Sequence, residues 1–219
     1  MSDYIGIAVL YIVPLLFAVI LHEVAHGWVA EKLGDPTARL LGRITLNPIS
    51  HIDMVGTIIL PGVLYITGSP FLFGWAKPVP VNFANLRGGR RDMALVALSG
   101  PLTNFVLATL SSIVFHLTFS DFLGPEGISR FWYTWMNEPV RGMALISARF
   151  NLVLMVVNLL PVLPLDGGRI LVGLAPLRIA IALEQMERFG MLIVLLLIGS
   201  GLWSYIVTPV ISVFWRFLM

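Results

Sequence analysis

The chain has 219 residues, of which 58% are hydrophobic and 12% are charged, and its mean hydropathy is +0.90. Soluble domains carry about twice this charged fraction, so the composition excludes a soluble protein and indicates several membrane spans. The net charge of +2 comes from Lys and Arg grouped in loops, with no basic block interleaved with aromatic residues, which argues against a nucleic-acid partner.

The first predicted element is an apolar helix from Tyr4 to Leu33, uncharged before Glu23. No Lys or Arg precedes it and no small-residue cleavage site follows it, so we expect a retained span rather than a signal peptide. Its second half contains His22-Glu23-x-x-His26, and histidines four apart share one helix face and can reach one Zn²⁺. Glu23 comes from an adjacent part of that face, where it can act as general base on a metal-bound water without being a ligand.

The membrane setting makes this motif more specific than its letters alone. Burying three ionisable groups in a bilayer without a metal or partners would cost several kcal/mol, whereas on a soluble helix the same residues could simply be solvated. Cysteine is absent, so a metal must be held by His, Asp or Glu. His26 lies six residues before Lys32, which places the metal roughly 10 Å below the membrane surface at about 1.5 Å per residue.

The next apolar segment, residues 54–76, is uncharged but interrupted by Gly and Pro. We expect it to enter and leave on one face, as a re-entrant hairpin or a broken pair of short helices. The stretch Trp75–Asn82 alternates proline and valine, which is typical of an exposed edge strand or an extended loop. Its free backbone near Val79 and Val81 could accept an extended substrate by strand addition.

Three further segments predict full spans. The second span covers Met93 to Ser120 and opens with Ser99-Gly100-Pro101-x-x-Asn104, whose small residues permit close helix approach. Asn104 needs a partner inside the bilayer. The third span runs from about Gly142 to Leu165, and the last from Phe189 to about Trp215.

The third span ends in a helix break. Two prolines and two glycines within Asn158–Arg169 open the backbone at membrane depth, which is tolerated only where it lines a cavity or a site. Asp166 lies inside this break. Residues 170–188 are mixed in character and predict a short helix or a segment along the interface.

The loop charges predict the topology. The loops after the first span, before the second span and around residues 169–188 are basic, whereas the loop at 121–141 is acidic. By the positive-inside rule the basic loops should be cytoplasmic. This puts Asp166 on the same side and at a similar depth as His22 and His26, so that it is available as a third ligand.

Four other residues are candidates for the third ligand. Two lie in the loop after the first span and two in the predicted interfacial segment: His51, Asp53, Glu184 and Glu187. A capping Asp and a solvated interfacial face explain the acidic ones more simply. Asp166 alone combines a backbone break with the expected depth.

Three motifs in this order resemble the site-2 protease family of intramembrane zinc metalloproteases. They are His22-Glu23-x-x-His26, Ser99-Gly100-Pro101-x-x-Asn104, and Asn158-x-x-Pro161 followed by Leu165-Asp166-Gly167. The resemblance covers the chain from about Leu21 to Arg169. Better-known members carry an inserted PDZ domain, a regulatory domain or an extra helix that this sequence does not show, so it is similar to a compact form of the family.

The resemblance implies a role for each matching residue. His22, His26 and Asp166 would bind one zinc ion per chain, Glu23 would be the base, and Asn158 would help hold the substrate carbonyl. The Trp75–Asn82 stretch resembles the membrane-embedded strand region of the family. Substrate selection and regulation are not implied.

Together these features predict an α-helical polytopic membrane protein with about four full spans, a re-entrant hydrophobic segment and a short membrane-associated strand or loop region, forming a single metalloprotease domain over residues 1–219. We expect an intramembrane zinc endopeptidase that uses a zinc-activated water to cut transmembrane protein or peptide substrates. We expect it in the lipid bilayer of a bacterial or archaeal cytoplasmic membrane, with its active site near the cytoplasmic face.

Two alternatives to a protease remain open. One is a zinc-binding or ion-transporting membrane protein without proteolytic activity, because intramembrane His, Asp and Glu are also expected there. A transporter usually shows an internal repeat and ionisable groups along a path, whereas here the polar groups gather at one depth. The other is an inactive protein that has kept the fold, which fits poorly with an intact Glu23.

Overall fold

The computed structural model describes residues 2–69, 74–119 and 137–219, and every regular element in these ranges is helical. The long helices are α1 Ser2–Lys32, α4 Arg90–Phe119, α5 Glu138–Asn158, α7 Leu177–Gly199 and α8 Leu202–Leu218. The shorter elements are α2 Thr37–Leu40, α3 Leu60–Ile66, α6 Asp166–Leu174, the 3-10 turns Pro48–His51 and Phe83–Asn85, and a π-helical turn, Met54–Ile59, that leads into α3.

Within the described ranges, three helical stretches are long and apolar enough to cross a membrane: Val9–Lys32, Arg90–Thr118 and Glu138–Asn158. Helices α7 and α8 make a fourth candidate only as a broken pair, because they meet at an angle of 85°. Gly201, with φ of 78°, forms the bend in a conformation that favours glycine. The structure therefore has a bent pair where one span was predicted between Phe189 and about Trp215, and the described residues contain three candidate spans, or four with the bent pair.

Helix α4 lies at the centre of the fold, packed against α1, α5 and α6. Near its start, Met93 and Val96 join a buried apolar cluster with α1, α6 and α7. Further along, Ala108 joins a second cluster with α5 and α8. The part of α4 between these clusters, which contains Gly100 and Asn104, faces the polar side chains of α1.

The segment predicted to re-enter the membrane starts with the apolar helix Met54–Ile66, which is shorter than the roughly 20 residues a span needs. Asp53 caps its first turn. Trp75 N–H then donates to Gly56 O, and Lys77 N–H to His51 O, so the two ends of the segment lie side by side. The chain doubles back as the predicted hairpin requires.

The stretch after this hairpin forms no strand in the described part of the chain. Residues 74–82 lack regular structure and run as the extended loop that was the alternative to an edge strand. Proline limits strand formation here, because residues without N–H cannot complete a ladder of backbone hydrogen bonds. The acidic loop used in the topology prediction falls mostly outside the described residues.

Candidate metal centre

Three side chains from distant parts of the sequence meet beside α4. His22 and His26 project from the second half of α1, and Asp166 is the first residue of α6. The two Nε2 atoms are 3.1 Å apart, and Asp166 Oδ2 lies 3.1 Å from His22 Nε2 and 3.3 Å from His26 Nε2. Both histidines are buried. Within the described ranges this is the one group of three or more His, Asp or Glu side chains close enough to share a metal ion.

The spacing of the three atoms fits a zinc ion. With bonds of about 2.0–2.1 Å, two ligands of a tetrahedral zinc lie about 3.3–3.4 Å apart, close to the observed triangle. Asp166 Oδ2 is buried and makes no hydrogen bond, despite the two nearby nitrogens. A buried carboxylate oxygen without a hydrogen-bond partner is costly, and a cation bound by these three atoms would remove that cost.

Hydrogen bonds that the imidazoles donate to α4 set the tautomer of both histidines. His22 Nδ1 lies 2.5 Å from Asn104 Oδ1, and His26 Nδ1 lies 2.8 Å from Val96 O. Both oxygens only accept, so each Nδ1 carries the proton and each Nε2 keeps its lone pair. This is the tautomer and the outer support that metal-binding histidines need.

Gly100 explains how α4 comes so close to these imidazoles. A Cβ at this position would lie 2.4 Å from His26 Nε2 and 2.6 Å from His22 Cε1. No side chain fits there without displacing a candidate ligand. The small residue that the sequence assigned to helix approach therefore makes room for the metal centre.

Glu23 lies beside this group without belonging to it. Its Oε2 accepts a hydrogen bond of 2.7 Å from the backbone N–H of Val79. Val79 is buried, and a Cβ on Gly27 would lie 2.8 Å from its Cγ1, so glycine after His26 admits the loop. The loop predicted to bind substrate thus contacts the predicted base.

Two side chains hold this loop on either side of Val79. Upstream, Arg43 Nη2 donates to Lys77 O at 3.0 Å and to Pro78 O at 3.2 Å. Downstream, Asp35 Oδ2 accepts from Asn82 N–H at 2.7 Å. The loop is therefore tied to the chain that follows α1 at both ends.

Asp35 accepts several hydrogen bonds that were not predicted from the sequence. It is fully buried, and its Oδ1 accepts from both Thr37 N–H and Thr37 Oγ1, and from Asn85 Nδ2. Burial alone would raise the pKa of this carboxyl, but the hydrogen bonds from Thr37, Asn85 and Asn82 outweigh it and hold the pKa below its usual range. In Gly34-Asp35-Pro36 the sequence signals a helix stop, and nothing in it marks the long-range partners.

The other candidate ligands lie elsewhere. His51 Nε2 donates to Thr45 O, and Asp53 caps the helix that follows it. Glu187 accepts from Arg169 at 2.8 Å, and Glu184 lines a cavity beside that pair. None of the four belongs to the metal-binding group.

The two asparagines of the motifs differ in their surroundings. Asn158, the last residue of α5, donates from Nδ2 to Leu154 O at 3.0 Å, which leaves its second N–H hydrogen for another acceptor. Asn104 finds the buried partners that its position demanded: it accepts from His22 and donates to Ala18 O and to Asn151. Asn151 was not predicted, because one asparagine within an apolar span carries no motif.

The chain is similar to several proteins named as zinc metalloproteases. It is 34% identical to "Putative zinc metalloprotease YwhC" of Bacillus subtilis, over 92% of this chain and 85% of that protein. It is 28% identical to "Putative zinc metalloprotease Rip2" of Mycolicibacterium smegmatis, over 90% of this chain and 69% of that one, and 29% identical to Rip2 of Mycobacterium tuberculosis over 75% of this chain. No family model and no solved structure matches the chain.

Proposed function

Because the chain belongs to the site-2 protease family of zinc metalloproteases, we propose that it is an intramembrane endopeptidase that cuts peptide bonds in or near transmembrane segments of other proteins. One observation carries the proposal. The His22, His26 and Asp166 ligand atoms converge beside Glu23, and the two histidines and Glu23 lie on a helix that is long and apolar enough to span a membrane. Ionisable groups gathered in a membrane-spanning helix are explained better by hydrolysis within the bilayer than by a role on a solvated surface.

Each of these residues has a distinct task. His22, His26 and Asp166 would hold the zinc, and three protein ligands are the number found in catalytic sites with an open position. A zinc ion bound there would supply a water of lowered pKa and would polarise a peptide carbonyl. Glu23 takes the proton of the attacking water and returns it to the leaving amine. The free N–H of Asn158 is the candidate donor to the developing oxyanion.

The loop beside Glu23 supports the proposed presentation of substrate. A transmembrane helix offers no free backbone, so it must unwind locally before cleavage. In the described chain, Val81 N–H and the carbonyls of Val79 and Val81 have no hydrogen-bond partner. We propose that these unpaired groups, next to the base, form hydrogen bonds with an extended substrate strand.

The proposed location is a cytoplasmic membrane, with the site near its cytoplasmic face. Exposed Ile49 and Ala84 flank the hairpin at residues 54–76, and the native chain has no cysteine. Single cysteines at these two positions should react with an impermeant thiol reagent only from the cytoplasm. Labelling of either one from the other side would overturn this topology.

The cleavage test compares the wild type with Glu23→Gln on a peptide that contains one transmembrane helix. The wild type should yield two fragments whose masses place the cut within or beside that helix. Glu23→Gln should lose about 10²–10⁴-fold in rate, the usual contribution of a general base. Equal rates in the two proteins, or no cleavage by the metal-loaded wild type, would contradict the proposal and favour a binding or transport role.

A further inference from the structure

A chain of buried hydrogen-bonding groups extends from the metal centre into α5. Asn104 is 0% exposed and Asn151 is 1% exposed. Asn104 Nδ2 donates to Asn151 Oδ1 at 2.8 Å and to Ala18 O at 3.2 Å, and Asn151 Nδ2 donates to Ser147 O at 2.9 Å. The proposed reaction uses Asn151 in no step, yet the chain of contacts ends on a candidate zinc ligand.

Two backbone carbonyls fix the direction of this chain. A carbonyl only accepts, so Ala18 O and Ser147 O each require the NH₂ group of the amide that contacts them. Asn151 therefore turns its oxygen toward Asn104, and Asn104 turns its oxygen toward His22. An oxygen beside Nδ1 requires His22 to keep its proton there and to present a lone pair on Nε2.

We propose that Asn151 is a positioning residue for the zinc ligand His22, acting through Asn104. The inference rests on the proposed zinc binding. Asn151 accepts the shorter of the two hydrogen bonds donated by Asn104, and so holds that amide with its oxygen toward the imidazole. An Asn104 amide rotated by 180° would present NH₂ to His22 and favour the tautomer that is protonated on Nε2, which cannot bind a metal through Nε2, the atom that faces the site.

The surroundings of Asn151 make this role specific. Its side chain meets both the carbonyl and the hydroxyl of Ser147, and Ser111 Oγ donates to Ser147 Oγ at 2.8 Å. Inside an apolar bundle an amide with partners on both sides does not reorient, because any other orientation leaves polar groups unpaired. Leu152, the next residue, is equally buried but belongs to the apolar cluster with Ala108.

The test measures zinc affinity by competition with a chelator in detergent-solubilised protein. Asn151→Ala and Asn151→Leu both remove the amide, one leaving a cavity and one filling the volume. Both should raise the zinc dissociation constant by about 10–100-fold, as expected when the outer support of a ligand is lost. Leu152→Ala is the matched control, because it removes more packing volume from the next position but leaves the hydrogen-bonded chain intact. Its zinc affinity should stay within about twofold of wild type.

A double variant tests the route of the effect. If Asn151 acts through Asn104, then Asn151→Ala should cause no further loss of affinity in an Asn104→Ala background. An undiminished loss in that background would overturn the inference, as would wild-type affinity in both Asn151 variants or an equal loss in Leu152→Ala. If the wild type itself bound no zinc, the proposed function and this inference would fail together. Zinc binding that is insensitive to Asn151 would remove only the inference.

Discussion

The metal ligands and the base lie within a few residues of each other, but different kinds of structure support them. His22 and His26 are buried and tied to α4 by hydrogen bonds to Asn104 and Val96. Glu23 is half-buried, and its one hydrogen bond among the described residues comes from an extended loop. Packed helices fix a ligand geometry, whereas a loop held by a few polar contacts can shift to admit a substrate. The two supports should therefore respond differently to mutation.

The largest expected effect comes from the helix-supported side. In Gly100→Ala the new Cβ would overlap both His22 and His26, so the site should lose zinc affinity by at least about 100-fold and lose cleavage with it. Gly62→Ala is the matched control, because nothing lies within 4 Å of a Cβ at that position. Zinc content after dialysis, measured by mass spectrometry of the metal, checks both variants. Full zinc in Gly100→Ala would contradict the role of this close approach.

The loop side should lose substrate binding without losing zinc. Val81→Pro removes a free N–H, so we expect KM to rise by a few-fold to about tenfold, the size of one hydrogen bond, while zinc content stays at the wild-type level. Val79→Pro removes instead the N–H that donates a hydrogen bond to Glu23. Because Glu23 is the proposed base, this variant should lower kcat as well. Steady-state cleavage of a transmembrane peptide separates the two constants. Unchanged kinetics in Val81→Pro would show that the loop does not receive substrate.

A smaller effect is expected where the loop is tied down. In Asp35→Asn, an NH₂ group replaces one carboxylate oxygen and faces N–H groups that now donate hydrogen bonds to that oxygen. The free energy of unfolding should fall by about 1–3 kcal/mol. The folded pKa of Asp35 lies below its unfolded value of about 3.9, so the carboxylate stabilises the fold at neutral pH and that stabilisation is lost as the pH falls through the folded pKa. Thermal melts at pH 7 and at pH 3 check this, since the difference between wild type and variant should shrink at pH 3. A difference that grows in acid would contradict the assignment.

The sequence predicted the helix-supported side better than the loop side, for a physical reason. The spacing of His22 and His26 is local, and the break at Asp166 follows from Pro and Gly chemistry, so both are visible without tertiary contacts. The contact of Asp35 with Asn82 spans 47 residues and leaves no periodic signal. Asn151 also carries no sequence signal, because its contact with Asn104 depends on how two helices pack.

The bend between α7 and α8 and the loop at residues 74–82 both depend on local geometry or contacts that composition does not report. The run from Phe189 to Trp215 is apolar enough for one span, but the left-handed conformation at Gly201 turns the chain. Composition shows that a segment is hydrophobic, but it does not show whether the helix in that segment is straight or bent. In the stretch Trp75–Asn82, the alternating prolines were consistent with either a strand or a loop, and the contacts with Glu23, Arg43 and Asp35 hold it as a loop.

Zinc content per chain tests the central claim most directly, measured on wild type, Glu23→Gln and Asp166→Ala purified in parallel. Helix-supported ligands and a separate base predict about one zinc in the wild type and in Glu23→Gln, with cleavage lost in the latter, and much less zinc in Asp166→Ala. A full zinc complement in Asp166→Ala, or loss of zinc in Glu23→Gln, would contradict the division between ligands and base.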